Sequence, residues 1–312
     1  MHPGKMEEYK RSAKLMGNHF EITILTDDAS SAEQLINAGF EEIRRIEKLL
    51  TTFDEASQVN RINAMAGLQP VTVDREVFDL VARSLRISGL TDGAFDITYG
   101  SIDKRLWNFD RSLTSLPDAA TAREMIRLID YRKVVMDPVA CTIFLADKGM
   151  RIGFGGIGKG YAAEKAKALL IQSGVTGGII NASGDIAAWG LDAAGKPWTV
   201  GISNPDNASQ VFSWLPLKDM AIATSGNYEK YVIIDGQKYS HTINPKTGLP
   251  VTGIKSVTVI APNAELADAM TTPVMIMGIK AGLSMINQVK GLGCIIIDDN
   301  NHIYSSSNIH LQ

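Results

Sequence analysis

Residues 153–160 read GFGGIGKG, which places Gly153, Gly155 and Gly158 in G-x-G-x-x-G order with Lys159 directly after the third glycine. In such a turn bare backbone N–H groups can approach a phosphate at a helix start, where the helix dipole favours negative charge. Two complete motifs fail here. A dinucleotide fingerprint needs an acidic residue about 20 positions further on, and the window 173–178 reads SGVTGG. A triphosphate loop needs Ser or Thr after its lysine to hold Mg²⁺, and this chain has Gly160. What survives is a glycine-rich turn with a lysine, opening a helix and suited to a diphosphate. A tight strand-to-helix turn without a ligand fits the same residues.

Four further segments carry chemistry: TDGAFDIT (91–98), ATSGNY (223–228), SHTINPKTGLP (240–250) and ADAMTT (267–272). His241 is the candidate acid or base, because an imidazole titrates near neutrality. The turn-rich NPKTGLP after it reads as a rigid loop, a common place for functional side chains. An ordinary histidine at a strand-to-turn corner fits equally. Ser225 lacks a G-x-S-x-G elbow and is set aside as a nucleophile.

Other chemistries are disfavoured. Two cysteines, Cys141 and Cys294, lie in apolar stretches and cannot build a cysteine-rich zinc site or a disulfide framework. The five histidines show no H-x-x-x-H or H-x-H spacing, which argues against a zinc enzyme. With 31 basic and 34 acidic residues and a net charge of −3, a basic nucleic-acid footprint is not expected. No apolar run approaches the roughly 18 residues of a membrane span. MHPGKMEEYKRSAK at the start has no apolar leader core, so a cytoplasmic location is expected, or a periplasmic one if an export signal was removed.

The elements that must position these residues follow from patterning. At 312 residues and 45% hydrophobic content the chain can bury a sizeable core. His19–Thr26 alternates like a half-buried strand. Residues 30–50 form a helix with Ser31 and Gln34 in capping-box spacing and Leu35, Gly39, Ile43, Ile46 and Leu50 on one face. Asp74 caps a helix to about Ser88, and Asp118 begins one that ends near Asp130. Lys133–Asp137 and Thr142–Ala146 form a hairpin around Pro138, and a helix runs from Tyr161 to Gln172. Strands follow at Gly178–Asn181, Trp198–Ser203, Val211–Leu217, Met220–Thr224, Tyr228–Ile234 and Ser256–Ala261. A helical region spans Ala264 to about Val289, before a strand at Cys294–Asp298. Arg111–Asp118 reads as a long surface loop. Strands in runs point to an α+β fold with mixed, largely antiparallel sheets and flanking helices. One unit with two lobes is expected, its ordered core covering about residues 15–305.

Taken with LMG at 15–17, FD at 53–54 and GGIGKGYA at 155–162, the ordered set AFDIT, GGIGKGYA, TSGNY, SHTINPKTG and ADAMTT resembles the FAD:protein FMN transferase family, the ApbE-type flavin transferases. The resemblance runs from about Leu15 to Ile297. It implies an enzyme that uses Mg²⁺ to cut FAD at its pyrophosphate and moves FMN onto a threonine hydroxyl of an acceptor protein, releasing AMP. Two alternatives stay open: an FAD pyrophosphatase that yields FMN and AMP, and a non-catalytic FAD-binding protein. The acceptor's identity and the oligomeric state are not written in the sequence.

The same resemblance implies the site residues. Asp268, Thr272 and the Gly156 carbonyl would ligate Mg²⁺, an all-oxygen set suited to a hard cation; the four-residue spacing puts Asp268 and Thr272 on one helix face. Met16, Phe53, Ala94, Phe95, Asp96, Gly153, Lys159 and Ile243 would contact FAD, with Phe53 offering a ring face and Lys159 a charge to the pyrophosphate. Phe53 and Phe95 also suit a plain core role. Thr224, Ser225 and Tyr228 would line the same cleft, and His241 would manage the proton. The chain departs from the family's pattern at Gly153, where aspartate is frequent, at Asn18, and at Ala182–Ser183–Gly184. Pro273 after Thr272 disfavours helix at the preceding residue, so Thr272 is expected as an N-cap with Pro273 at the first helical position, or in a kinked helix.

Overall fold

The computed structural model describes residues 6–106, 115–204, 207–226 and 231–309. Strands β1 (Glu7–Leu15) and β2 (Asn18–Thr26) form a hairpin with Leu15 opposite Asn18. Met16 and Gly17 turn it at φ 51° and 69°, the positive-φ geometry that matches strand twist. Along β2, Phe20, Ile22 and Ile24 alternate inward and are fully buried. Helix α1 (Ala29–Leu50) starts at Asp28, whose carboxylate accepts from the N–H groups of Ser30 and Ser31. The capping-box expectation is thereby corrected: Ser31 lies within the first turn, held by the better acceptor three residues before it. Ile36, Phe40, Ile43, Ile46 and Leu50 bury the inner face, with Leu35 only half-buried.

Helix α2 (Gln58–Ala64) and strand β3 (Val71–Thr72) precede α3 (Arg75–Leu90). Asp74 is its N-cap residue as expected, but the Asp74 carboxylate accepts from Gln58 instead of from the helix. Helix α4 (Ala119–Met125) is capped by Asp118 and stops well short of Asp130. Beyond the helix end, the Asp130 N–H donates to Thr98 Oγ1 at 2.9 Å and the Tyr131 N–H to the Asp96 carboxylate at 3.0 Å, which anchors the following segment to the AFDIT turn. Strands β4 (Val134–Asp137) and β5 (Thr142–Leu145) make the expected hairpin, and β3 joins it in the order β3-β5-β4.

Helix α5 (Gly158–Gln172) begins inside the glycine cluster, three residues earlier than its pattern suggests. Strands β6 (Gly178–Ala182), β7 (Asp185–Trp189), β8 (Trp198–Asn204), β9 (Asn207–Leu217), β10 (Ala221–Gly226), β11 (Tyr231–Ile234), β12 (Gln237–Ser240) and β13 (Ile254–Ala261) follow. The last helical region is two helices, α6 (Ala264–Met277) and α7 (Ile279–Gln288), divided by Gly278 at φ 82°. Strands β14 (Gly293–Asp298) and β15 (Ile303–Ser305) close the fold.

The main sheet has the order β1-β2-β6-β7-β10-β13-β14-β15, antiparallel throughout. Helices α1, α5 and α6 share one hydrophobic cluster with Phe20, Ile22, Ile180, Ala223 and Val257. A second cluster joins Ile186, Ile222, Ile260 and Ile295 to Trp198, Val200, Ile202 and Leu217 of the β8–β9 hairpin. The sheet is therefore covered on both faces, which is why β7 and β13 are buried at every position and read as continuous rather than alternating strands. The fold is α+β, as the runs of strands suggest. Among the described residues no helix is long and apolar enough to cross a membrane. Residues 111–114 of the expected surface loop, and Tyr228–Lys230 at the start of an expected strand, lie outside the described residues.

Candidate active site

The site is built where α5 crosses α6. A Cβ on Gly160 would lie 2.1 Å from the Ala264 carbonyl oxygen and 2.8 Å from the Asp268 Cβ, so only glycine allows the two helices to come this close. The approach brings the Gly160 N–H to 2.9 Å from Asp268 Oδ2, and the Lys159 N–H donates to the same carboxylate. A side chain of α6 thus occupies the positive end of α5. The Gly158 N–H is taken by the Phe154 carbonyl at 2.7 Å. Three amides that the sequence offers to a phosphate are therefore used within the protein.

The Lys159 ammonium turns to Asp185, with which it forms an ion pair. Asp185 begins β7 directly after the Ser183–Gly184 turn, both of whose residues have positive φ. The Asp185 carboxylate is 2% exposed and also accepts from the Thr224 N–H on β10. Burial, then the charge of Asp268, pushes Asp185 up to about 7 against the pull of Lys159. Burial likewise raises Asp268, against Lys159 and the two amides. For Lys159, burial lowers the pKa, but the charges of Asp268 and Asp185 outweigh it and leave the ammonium raised. Two acids against one ammonium leave a closed, low-dielectric place short of one positive charge, which a proton on the raised acids or a bound cation can supply. That imbalance favours a cation.

Hydroxyl-bearing residues lie on β10, β13 and α6. Ser225 Oγ and Thr271 Oγ1 are 2.7 Å apart, Thr271 Oγ1 donates to the Asp268 carbonyl at 3.0 Å, and Thr224 Oγ1 lies 2.9 Å from Thr258 Oγ1. The Thr224 N–H meets the Asp185 carboxylate, and Ser225 meets Thr271, whose hydroxyl is bonded to the Asp268 main-chain carbonyl. Thr272 is not an N-cap: α6 is capped by Asn263 and continues through Pro273. Proline removes one backbone hydrogen bond there, and the surrounding packing, in which Pro273 and Val274 are buried, keeps the helix going. Thr272 is therefore helical and lies on the Asp268 side of α6. Among the described residues no group of three or more His, Cys, Asp or Glu could hold a metal. A metal here would need hydroxyl, carbonyl, water and substrate oxygens besides Asp268, which suits Mg²⁺ better than zinc.

The remaining expected residues divide into two groups. Met16, held by its N–H on the Glu47 carboxylate at 2.8 Å, reaches the glycine turn, its Cε 3.6 Å from where a Gly158 Cβ would be. Phe95 is core and lies under Gly156, and Ala94 is buried beside it. The Gly153 N–H donates to the Ile97 carbonyl at 3.1 Å, while a Cβ at Gly153 would meet nothing within 4 Å. Asp96 accepts from the N–H and hydroxyl of Thr98 and from the Tyr131 N–H, so its lone pairs organise the turn after it. The contacts thus bring Met16, Phe95, Gly153, Gly156, Lys159 and Asp268 together.

Phe53 and His241 stand further out. Phe53 is 97% exposed, so its core reading is wrong, and the ring has both faces in solvent. His241 is exposed at the end of β12. The loop that follows is rigid: Ser240 Oγ accepts from the Thr242 N–H, Ile243 bridges to Pro250, and Lys246 pairs with Asp92. The buried Ile243 donates its N–H to the Tyr99 hydroxyl at 3.2 Å, which ties this loop to the AFDIT segment. A polar hollow of about 360 Å³ lies at that junction, lined by Asp92, Asp96, Tyr131, Pro245 and Lys246 among others. Sequence reasoning missed Asp185 and Tyr99. An acid opening the apolar run DIAAW was a usable signal for Asp185; nothing local marked Tyr99.

The model of the ApbE family matches residues 16–296. An FAD:protein FMN transferase of Klebsiella pneumoniae is 33% identical over 301 residues, covering 96% of this chain and 92% of its own length. One of Treponema pallidum is 28% identical, with 98% and 88% covered. Among solved structures, the ApbE protein of Thermotoga maritima superposes with a TM-score of 0.86 at 29% identity, covering 96% and 97% of the two chains. The flavinyl transferase ApbE of Pseudomonas stutzeri gives 0.85 at 25%, with 98% and 97% covered.

Proposed function

The chain belongs to the ApbE family, and on that premise we propose that it is a Mg²⁺-dependent FAD:protein FMN transferase. It cleaves the FAD pyrophosphate, joins the FMN phosphorus to a threonine hydroxyl of an acceptor protein and releases AMP. The observation that carries the reading is the buried pair Asp185 and Asp268 around a single ammonium. A protein that merely held an apolar ring would gain nothing from such a pair, because two buried carboxylates are expensive unless a cation balances them.

The Asp268 carboxylate, the Thr272 hydroxyl and the Gly156 carbonyl are the groups that would hold the metal. When bound, Mg²⁺ supplies charge neutralisation on the pyrophosphate oxygens and polarises the reacting phosphorus. Lys159 presents its ammonium to the diphosphate from the inner side of the site. Phe53, already in solvent, can close over a flavin or adenine ring without disturbing the core. Met16, Ala94, Phe95, Asp96, Gly153 and Ile243 shape the FAD cleft around the glycine turn. His241, on its rigid corner, takes the threonine proton or delivers one to the departing phosphate.

Incubation with FAD, MgCl₂ and candidate acceptor proteins tests the reading. A covalently fluorescent acceptor with an equal amount of AMP is expected; free FMN as the sole flavin product would make the enzyme a hydrolase, and FAD left intact would make it a binder. Asp268→Ala should cut FAD cleavage at least ~10-fold, the low end for losing a metal-binding partner. Wild-type turnover of that variant at limiting Mg²⁺ would remove Asp268 from the metal site.

A further inference from the structure

The Lys159 side chain has a long, flexible stem, and an ammonium on such a stem has no fixed place of its own. In this protein it has one. Asp185 projects from the first residue of β7, where the Ala182–Asp185 pair closes the two-residue turn to β6. Its backbone is set by that turn and by the pairing of β7 with β10, in which Ile186 faces Ile222. Its carboxylate is oriented by the Thr224 N–H from the neighbouring strand. Three strands of the central sheet therefore fix the acid before it meets the lysine. The lysine side chain is 26% exposed while the acid is 2% exposed, so the ion pair has a closed side toward the sheet and an open side away from it.

An arrangement that only filled space would be better served by apolar residues, since a buried carboxylate paired with one lysine is weak evidence of stabilisation. Asp268 does not need Asp185 either: its oxygens already have the Lys159 and Gly160 amides. What Asp185 contributes is the place of the ammonium. We propose that Asp185 is the positioning residue of the transfer reaction, holding the Lys159 ammonium at the wall of the site so that its open side meets the FAD diphosphate. This rests on the reading of Lys159 as the diphosphate contact, and the test separates the two.

The assay is equilibrium binding of FAD and of riboflavin without metal, followed by flavin fluorescence, alongside turnover and thermal midpoint. Lys159→Met should lower FAD affinity roughly 10-fold or more, the size of one lost charge-assisted contact, and leave riboflavin affinity unchanged. Asp185→Asn keeps the shape and the acceptor for the Thr224 N–H but loses the charge. It should lower FAD affinity, and turnover efficiency on FAD, by roughly 10- to 100-fold while leaving riboflavin affinity unchanged, the range for removing a partner that orients a ligand-binding group. The double variant should be no worse than Lys159→Met alone, because the two residues act as one unit. Asp185→Glu retains the charge and displaces it, so it should lose FAD preference too and serves if the asparagine variant does not fold. If Lys159→Met leaves FAD preference intact, the diphosphate reading of Lys159 fails. If Lys159→Met loses it while folded Asp185 variants keep it, or if the double variant shows additive losses, the positioning role of Asp185 is overturned.

Discussion

Replacing Gly160 with alanine tests whether the helix crossing builds the site. The added methyl would sit 2.1 Å from the Ala264 carbonyl oxygen and 2.6 Å from its carbon. Ordinary contact is about 3.5 Å, so α5 and α6 must separate by more than about 1 Å. Both obstacles are backbone, so no rotamer change relieves them. Overpacking of this kind costs about 1–3 kcal/mol, and loss of the Gly160 amide on the Asp268 carboxylate adds about 1.5–3 kcal/mol. Alanine's better helix propensity returns about 1 kcal/mol. The net is roughly 2–5 kcal/mol, or a fall of about 4–10 °C in thermal midpoint at roughly 2 °C per kcal/mol for a chain of this size. A displacement near 1 Å at a metal ligand should also lower turnover about 100-fold. Calorimetry and AMP release read the two effects. Gly155→Ala is the control: its Cβ would meet nothing within 4 Å, so stability should hold to within about 0.5 kcal/mol, about 1 °C in midpoint. A Gly160→Ala protein with wild-type midpoint and turnover would refute the account of the crossing.

Other expected outcomes follow from the same geometry. His241→Ala and His241→Asn should leave FAD affinity nearly intact and lower turnover roughly 10²–10⁴-fold, the span of general acid–base catalysis; most activity in the asparagine variant would mean that His241 only shapes its loop. Phe53→Ala should leave stability within about 0.5 kcal/mol, since the ring is 97% exposed, yet weaken flavin binding; unchanged affinity would remove Phe53 from the cleft. Asp185, pushed up to about 7, and Asp268, raised, make the native state bind more protons than the unfolded chain. Their contribution to stability without metal is thus full below about pH 4 and is lost as pH rises toward 7. Melting midpoints in EDTA should show that loss, Mg²⁺ should recover more at pH 7.5 than at pH 5, and Asp185→Asn should flatten the profile; an unchanged profile in that variant would refute the assignment.

Some helix starts and strands were legible because they are set by neighbours in sequence: Asp118 caps α4, and His19–Thr26 alternates into the β2 pattern. By contrast, α1 and α5 begin earlier than their patterns suggest, and α2 went unread. Charged β1 and the unbroken apolar β7 were not legible as strands. One is a sheet edge and the other is buried on both faces, and neither condition is visible without the sheet. Two cysteines in apolar stretches and scattered histidines argue against a zinc enzyme, and the family resemblance carried by the ordered motifs singles out Gly156, Lys159, His241, Asp268 and Thr272. Their relations came only from the tertiary structure. Asp185 lies 26 positions from Lys159, and Asp268 lies 108 from Gly160, so no local pattern can show that these groups share one buried charge cluster. Nor could the glycine turn reveal that the Lys159 and Gly160 amides are spent on the Asp268 carboxylate and the Gly158 amide on a carbonyl instead of left for a phosphate. Residue type fixes what a group can do; burial and the company it keeps fix its charge, its partner and the direction in which it acts.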